Sequence, residues 1–520
     1  MTKSLYHKVG IASLILMASV FLSRVIGLFR EMAIAYAGGA RGDVDAYQIA
    51  FVIPEILNHI VASGFLSVTF IPIFSGYLAA DREAEGWEVF SVIMNSFGLM
   101  LIGFIGIAMV FAPELIALTA PGIHDPMLLA KAVRMTRIIL PAQFFFFTGG
   151  MFTAAQFAKE SFSLPALAPL VYNICIIAGG MALGPVLKME GFSWGVLAGS
   201  FLGNFAIQYR GARKVGMRYA SVINFTHPDF LAYVRLTLPL MVGLTMSFST
   251  EFFLKFFGSY LPEGNIACLN YGLRVMFILV GLLGQAIGTA SFPYMARLAA
   301  ENRIPEMNQL LDSTLKFLSL IIPFSMLLII LRHEVVAVLF ERGQFDRFAT
   351  NQTAGVLLYL MIGAFAFAAQ TVVVRGYYAI RNTLFPAIYS TVGVMLSIPF
   401  YILGMKLMGA GGVALAISIS AVLQVVLLYT LWNRRSNNTS GQDVYKGYAK
   451  MILLSIPIGM ALEFLRKVLS QWIPDKGLIG NLLICFITGL SFLILLFISG
   501  YLFNIREITG TFRRLIQKAI

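Results

Sequence analysis

Nine stretches of this 520-residue chain, at 89–113, 138–158, 161–187, 191–209, 275–296, 348–374, 382–405, 407–433 and 477–505, contain no Asp, Glu, Lys or Arg. Each matches or exceeds the roughly 18 to 20 apolar residues that a helix needs to cross hydrocarbon. Lipid offers the backbone no hydrogen-bond partner, so stretches of this length are satisfied only as helices. An all-α polytopic membrane protein follows. Five more segments, at about 9–37, 45–77, 228–257, 306–331 and 446–471, are apolar but interrupted by charges, His or Pro, and counting them gives fourteen spans. Only 12% of residues are charged, against roughly 25% in soluble proteins, which excludes a soluble enzyme.

The net charge of +13 would suggest nucleic acid in a soluble chain. Its distribution argues otherwise. Arg210, Arg213, Lys214 and Arg218 form one cluster, Arg434, Arg435 and Lys446 a second, and Arg506, Arg513, Arg514 and Lys518 a third. With fourteen spans and both ends cytoplasmic, all three fall on the cytoplasmic side, as positively charged loops should. Glu114, Asp125, Glu334, Glu341 and Asp346 then face the other side. Cys175, Cys268 and Cys485 are isolated in apolar segments without metal-ligand or disulfide spacing, and inert core thiols are expected. The apolar run after Lys3 and Lys8 continues through Arg24 and Arg30 without a small-residue cleavage site, so it reads as a span and not as a removable signal.

The chain also repeats itself. FAKESFSLPA matches YAIRNTLFPA at a shift of 221 from Phe157 to Tyr378; Pro72 maps to Pro293 at the same shift, and Glu114 maps to Glu334 at 220. WGVLA from Trp194 and GGVALA from Gly411 lie nearly that far apart. Such a shift spans six helices, an even number, so the halves insert the same way up, the parallel-repeat class of transporter. Lobes are expected at 1–220 and 221–436, enclosing a central cavity, with two extra helices in 437–520. Pro54, Gly64 and Pro72 in the second span, and Gly281, Gly284, Gly288 and Pro293 in the eighth, predict bent helices.

Ionisable groups inside spans cost at least about 2.5 to 3.5 kcal/mol each at the centre and usually mark function. Arg24 lies about 22 Å along a helix from Val9, too deep to reach the interface easily. Glu31 follows on nearly the same face, Arg30 points away from Arg24, and Arg274 follows Tyr271 in the eighth span. These charges are read either as structural pairs within the bundle or, because guanidinium forks suit a phosphate, as an anion site. Glu251 and Lys255 stand in the order that stabilises a helical pair; they either neutralise one another or exchange a proton or sodium ion. His59 is read as a core residue or a titrating switch. No P-loop, Ser/His/Asp or HExxH pattern occurs, so transport is expected and not catalysis.

SRVIGLFRE at 23–31, VDAY at 44–47, SGFLSVTFIPIF at 63–74, APELIALTAPG at 112–122, LPALAPLVYNI at 164–174, LFERGQFD at 339–346 and RGYYAIRNTLFPA at 375–387 resemble the MurJ (MviN) family of lipid II flippases, within the multidrug/oligosaccharidyl-lipid/polysaccharide exporter superfamily. The resemblance implies a bacterial inner-membrane protein that moves the undecaprenyl-pyrophosphate-linked peptidoglycan precursor between leaflets. It implies a cationic cavity for the pyrophosphate and a groove for the polyprenyl tail on the last two helices. Arg24, Arg30, Asp45 and Arg274 match its motif charges. Asn58, Ser63 and Leu273 depart from it, standing where an arginine, a glutamate and an aspartate are usual, and His59 could restore part of the positive charge.

The expected partner is a lipid-linked oligosaccharide, with membrane lipids around a monomer and neither nucleic acid nor metal involved. No organic cofactor is expected, and the membrane potential or a coupling ion supplies the drive. The alternatives are a flippase for another polyprenyl-linked glycan, or a cation-coupled drug antiporter using Glu251 and Asp45 for the ion; a scaffold without transport would leave the arginines unexplained. Reporter fusions test the topology: a cytoplasm-only reporter placed after Lys214 or Arg435 should be active, and one placed after Asp125 or Asp346 silent.

Overall fold

A computed structural model describes residues 2–61, 65–243, 245–473 and 477–503, and gives their side chains except at 2–14, 16, 60–61, 65–68, 238–243 and 245–247. Ser63 and the basic tail beyond Phe503 lie outside the described residues. Every regular element among the described residues is helical. The chain divides into two compact units, residues 1–267 with 342–345, and residues 268–341 with 346–520.

The first unit contains α1 (Thr2–Gly38), α2 (Gly42–Ala50), α3 (Val52–Val61), α4 (Phe65–Ala79), α5 (Glu83–Val110), α6 (Ala112–Thr119), α7 (Pro126–Ile139), α8 (Ala142–Ala158), α9 (Ala168–Leu187), α10 (Glu190–Gly199), α11 (Ile207–Lys214), α12 (Pro228–Gly243) and α13 (Thr245–Gly258). After α14 (Asn265–Val280), which straddles the boundary, the second contains α15 (Ala286–Ala300), α16 (Ile304–Leu318), α17 (Ile321–Ile330), α18 (Arg332–Phe340), α19 (Arg347–Ala379), α20 (Leu384–Arg435), α21 (Gly441–Trp472) and α22 (Leu478–Leu502).

Eight helical stretches among the described residues are long and apolar enough to cross a membrane: 83–110, 126–158, 165–187, 265–300, 304–330, 347–379, 384–435 and 478–502. The chain is a multi-pass membrane protein. The second expected span is not one rod. It breaks at Phe51, between α2 and α3, because Pro54 has no N–H for the carbonyl of Ala50. In the eighth expected span a π-helical turn at Gly281–Gln285 separates α14 from α15, a widening characteristic of functional helices.

The first unit is packed with aromatic rings: Phe74 lies 4.6 Å from Trp87, Phe90 5.7 Å from Phe70, and Phe97 5.3 Å from Phe147. The segment of the seventh expected span belongs here too, since Tyr77 donates to Asp229 at 2.7 Å and Phe97 stacks edge-on against Tyr233. In the second unit Leu320 and Ile330 form one buried cluster with Met451, Leu454, Ile458, Leu462, Phe492 and Leu496. The two C-terminal helices are thereby fixed to α17 by apolar packing.

The repeat is written in backbone torsions. Left-handed residues recur 221 apart: Asp81 (φ 60°) with Asn302 (φ 54°), Glu160 (φ 56°) with Arg381 (φ 59°), Lys188 (φ 51°) with Gly409 (φ 57°), and Gly216 (φ 93°) with Asn437 (φ 51°). Asp125 and Asp346, also 221 apart, each cap a helix by accepting a backbone N–H, from Met127 at 2.9 Å and from Ala349 at 2.8 Å. In the helices just before these caps, α18 has nine residues to the eight of α6, so the local shift of 220 from Glu114 to Glu334 returns to 221 at the caps. The WGVLA and GGVALA segments are not in register; the torsions set Gly191 against Gly412.

Lys188 has ψ −128° and Gly409 ψ −129°, a conformation that is strained for any residue with a Cβ. Lys188→Gly should therefore raise the thermal midpoint in detergent, by the equivalent of about 1 kcal/mol. A Cβ on Gly412 would lie 1.9 Å from the Gly404 carbonyl oxygen, so Gly412→Ala should lower that midpoint, at a cost of about 1 to 3 kcal/mol.

Candidate functional site

The predicted site residues of the first unit fall into two clusters and one anchor. In the first cluster, Arg30 of α1 donates through Nη2 to Glu31 Oε1 at 2.7 Å and through Nη1 to Asn173 Oδ1 of α9 at 2.9 Å. Asn173 in turn donates to the Pro169 carbonyl at 2.9 Å and to Ser23 Oγ at 3.4 Å. Glu31 is buried and Arg30 half-buried. Neighbours in sequence rarely face one another on a helix, but the length of the arginine side chain lets its fork turn back to Glu31. Arg24, one and a half turns earlier, is exposed on the protein surface.

The second cluster joins α3 to α13. Lys255 is buried, and its Nζ lies 2.9 Å from Glu55 Oε2 but 3.9 Å from Glu251 Oε2. The helical pair expected from the sequence is thus a triad in which the tighter partner comes from another helix. The two carboxylates are half-buried, so one ammonium faces two acids. His59, one turn beyond Glu55, donates from Nδ1 to the Glu55 carbonyl at 2.8 Å and packs its ring 5.3 Å from Phe248. A carbonyl only accepts, so the proton on this ring sits on Nδ1 whenever the ring is neutral. Asn58 is half-buried beside it.

Asp45 is buried in α2 and is held by backbone. Its Oδ2 accepts from Gly264 N–H at 2.5 Å and its Oδ1 from Ala267 N–H at 2.7 Å. Both oxygens therefore engage the otherwise unsatisfied first turn of α14. Arg274 is half-buried on α14, and the adjoining Leu273 is fully buried.

Two partners were not assigned from sequence: Glu55 as the close partner of Lys255, and Asn173 as the second acceptor for Arg30. Both had a signal: Asn173 is a lone amide in an apolar segment, and Glu55 is a carboxylate one turn before His59 in another. A cavity of about 670 Å³ in the first unit is lined by Tyr36, Arg41, Asp43, Lys188, Glu263 and Gln344 among others, and includes none of the predicted site residues.

Comparison with known proteins places this geometry. A solved structure of a lipid II flippase MurJ, in an inward closed conformation, superimposes with a TM-score of 0.76 at 24% identity, covering 94% of this chain and 99% of the other. An inward-facing multidrug resistance MATE transporter of the MOP superfamily superimposes with a TM-score of 0.65 at 14% identity, covering 82% of this chain and 96% of the other. The fold is that of these polytopic membrane transporters. The sequence pattern of the lipid II flippase MurJ family matches residues 34–482, and the chain belongs to that family, which is one of transporters and not of enzymes. It is 29% identical to the lipid II flippase MurJ of Burkholderia cenocepacia over 424 residues, 78% of this chain and 80% of the relative. It is 26% identical to the probable lipid II flippase MurJ of Bdellovibrio bacteriovorus over 515 residues, 97% of this chain and 96% of the relative.

Removing Lys255 takes a buried ammonium away from two half-buried carboxylates, and losing one partner of a buried pair costs up to about 3 to 5 kcal/mol. Lys255→Met should therefore lower the thermal midpoint of the purified protein sharply. Glu55→Gln in the same chain should recover part of the loss, and a double mutant no more stable than Lys255→Met would contradict the triad.

Proposed function

We propose that this protein carries lipid II, the undecaprenyl-pyrophosphate-linked peptidoglycan precursor, from the cytoplasmic to the periplasmic leaflet of a bacterial inner membrane by alternating access. The observation that carries the reading is the family match across residues 34–482. It also favours a lipid-linked substrate over the small cations of a drug antiporter.

Fourteen spans with both termini cytoplasmic form the carrier in this reading: lobes at 1–220 and 221–436, and two further helices in 437–520 whose surface accepts the polyprenyl tail. Arg24, Arg30 and Arg274 bind the diphosphate. Arg30 already holds Glu31 and Asn173, so a phosphate must share or displace Glu31, and loading is coupled to that exchange. Lys255, held by Glu55, supplies the cation that position 58 lacks, with His59 beside it. Asp45 positions backbone and does not touch substrate. Glu251 is the candidate to exchange a coupling ion, because it is the looser partner of Lys255.

A cell interior negative by 100 mV favours outward movement of two negative charges by roughly 4 to 5 kcal/mol. That is enough to drive export, with the return of the empty cationic carrier bearing the opposing cost. The departures at 58, 63 and 273 leave a second reading, a different polyprenyl-linked glycan. The burial of Leu273 favours the first reading, since there packing replaces a charge and adds no new recognition group.

Reconstitution into vesicles with purified lipid II decides. Leaflet reversal should require the protein, and Arg24→Ala or Arg274→Ala should slow it about tenfold or more, the effect of one lost charge-assisted hydrogen bond. The same variants should fail to support growth of flippase-depleted cells at normal protein levels. Normal growth would reject the arginine site, and no reversal of lipid II by the wild-type protein would reject the substrate.

A further inference from the structure

A second polar pocket lies entirely within the second unit, where α18 and the start of α19 meet the end of α21 and the start of α22. Its volume is about 220 Å³, and Glu334, Glu341, Arg347, Asn351, Arg466 and Asn481 are among its lining residues. Drug-sized ligands fill roughly 300 to 1,000 Å³, so this space suits a small polar group and not a glycan.

Its charges are unevenly satisfied. Arg466 donates to Glu334 Oε1 through Nη1 at 3.0 Å, and to Glu463 through Nε and Nη2 at 2.9 and 2.8 Å. Two carboxylates thus share one guanidinium, and Glu463 has a second, looser cation in Lys467 Nζ at 3.9 Å. Glu334 is 6% exposed, and its Oε2 has no hydrogen-bond partner among the described residues. A buried carboxylate oxygen without a donor is costly and calls for a cationic donor. On the same lining Arg347 is exposed and has no ion-pair partner among the described residues. Among the described residues, Glu341 accepts from the Thr350 hydroxyl at 2.8 Å. Burial and neighbouring Arg332 push His333 below its ordinary value, so it adds no charge near neutrality. Two acids, Glu334 and Glu341, against two arginines, Arg347 and Arg466, make the lining formally neutral but bipolar. Neither a simple anion nor a simple cation matches it; a molecule carrying both charges does.

The flanks indicate where that molecule comes from. Trp472, Ile479 and Phe348 are 81%, 78% and 71% exposed, and Phe486 of α22 is 70% exposed. Apolar side chains presented beside a polar pocket at helix ends are the surroundings of a lipid headgroup, with tryptophan at the level where such groups sit.

We propose that this pocket is a binding site for the headgroup of a phosphoethanolamine lipid, its ammonium donating to Glu334 and Glu341 and its phosphate accepting from Arg347, with the acyl chains lying along α22. Such a lipid bridges α18 and α19 to the two C-terminal helices and completes the polar clamp that Arg466 begins. The site is separate from the arginines proposed for the transported substrate and does not depend on that substrate's identity.

Native mass spectrometry of the full-length detergent-purified protein, given equal amounts of dioleoyl phosphatidylethanolamine, phosphatidylcholine and phosphatidylglycerol, tests it. Phosphatidylethanolamine should be retained about tenfold over the other two: the choline headgroup cannot donate a hydrogen bond and the glycerol headgroup carries no cation. Glu334→Gln should abolish the preference. Because that variant also loosens Arg466, Arg347→Glu and Glu341→Gln, whose side chains are not fully buried, are the second arm, and each should reduce phosphatidylethanolamine retention. Equal retention of the three lipids by wild type, or wild-type retention in both second-arm variants, overturns the site. Displacement of the lipid by equimolar soluble glycerophosphoethanolamine overturns the lipid as its occupant.

Discussion

An ionised group enclosed by hydrocarbon must be neutralised or hydrogen-bonded where it sits, and that requirement organises the polar structure of this protein. Arg30 turns onto Glu31, Lys255 reaches across to Glu55, and Asp45 takes two backbone N–H groups. Asp312, also buried, accepts from the Tyr429 hydroxyl at 2.6 Å and from Asn438 at 3.0 Å. In each case the partner comes from a neighbouring side chain or a distant helix and ties segments together. Function, on the reading proposed above, uses the same currency: a substrate phosphate competes with Glu31 for Arg30, so binding can be felt wherever that helix is held.

Much of the architecture was legible from residues alone. Runs without charge mark spans because hydrocarbon tolerates little else, and the breaks in the second and eighth spans follow from Pro54 and from the glycines of 281–288. The duplication was visible where both halves keep a proline after a turn, at Pro165 and Pro386. The site was less legible. Arg30, Glu31 and Lys255 announce themselves as charges in apolar surroundings, but the partner of each depends on which helices pack together, and α3 meets α13 only through tertiary contact. Sequence spacing favoured Glu251 for Lys255, and geometry gave the closer place to Glu55, which lies 200 residues away. The role of Asp45 was hidden for a similar reason, since the donors to its carboxylate are backbone N–H groups that carry no signature in side-chain composition.

The compact units and the sequence repeat do not share a boundary. The lobe boundary expected from the sequence falls between residues 220 and 221, whereas the first unit extends to residue 267, and α12 and α13 belong to it, with Tyr233 edge-on against Phe97 and Lys255 paired with Glu55. The two C-terminal helices, which have no counterpart in the repeat, are bound to α17 by an apolar cluster and to α18 by the Arg466–Glu334 pair.

The four left-handed turns that recur between the halves are occupied by chemically unlike residues: Asp and Asn, Glu and Arg, Lys and Gly, Gly and Asn. Likewise Gln156 and Tyr377, at corresponding positions, each donate to a carbonyl on the facing helix, that of Gln208 at 3.3 Å and that of Leu428 at 2.9 Å. What survived divergence is the sign of a dihedral angle and the destination of a hydrogen bond, while the letters drifted. Kinship between the halves of such carriers is therefore undercounted by comparing amino acids, and aligning them by chain handedness would recover ancestry that substitution tables have lost.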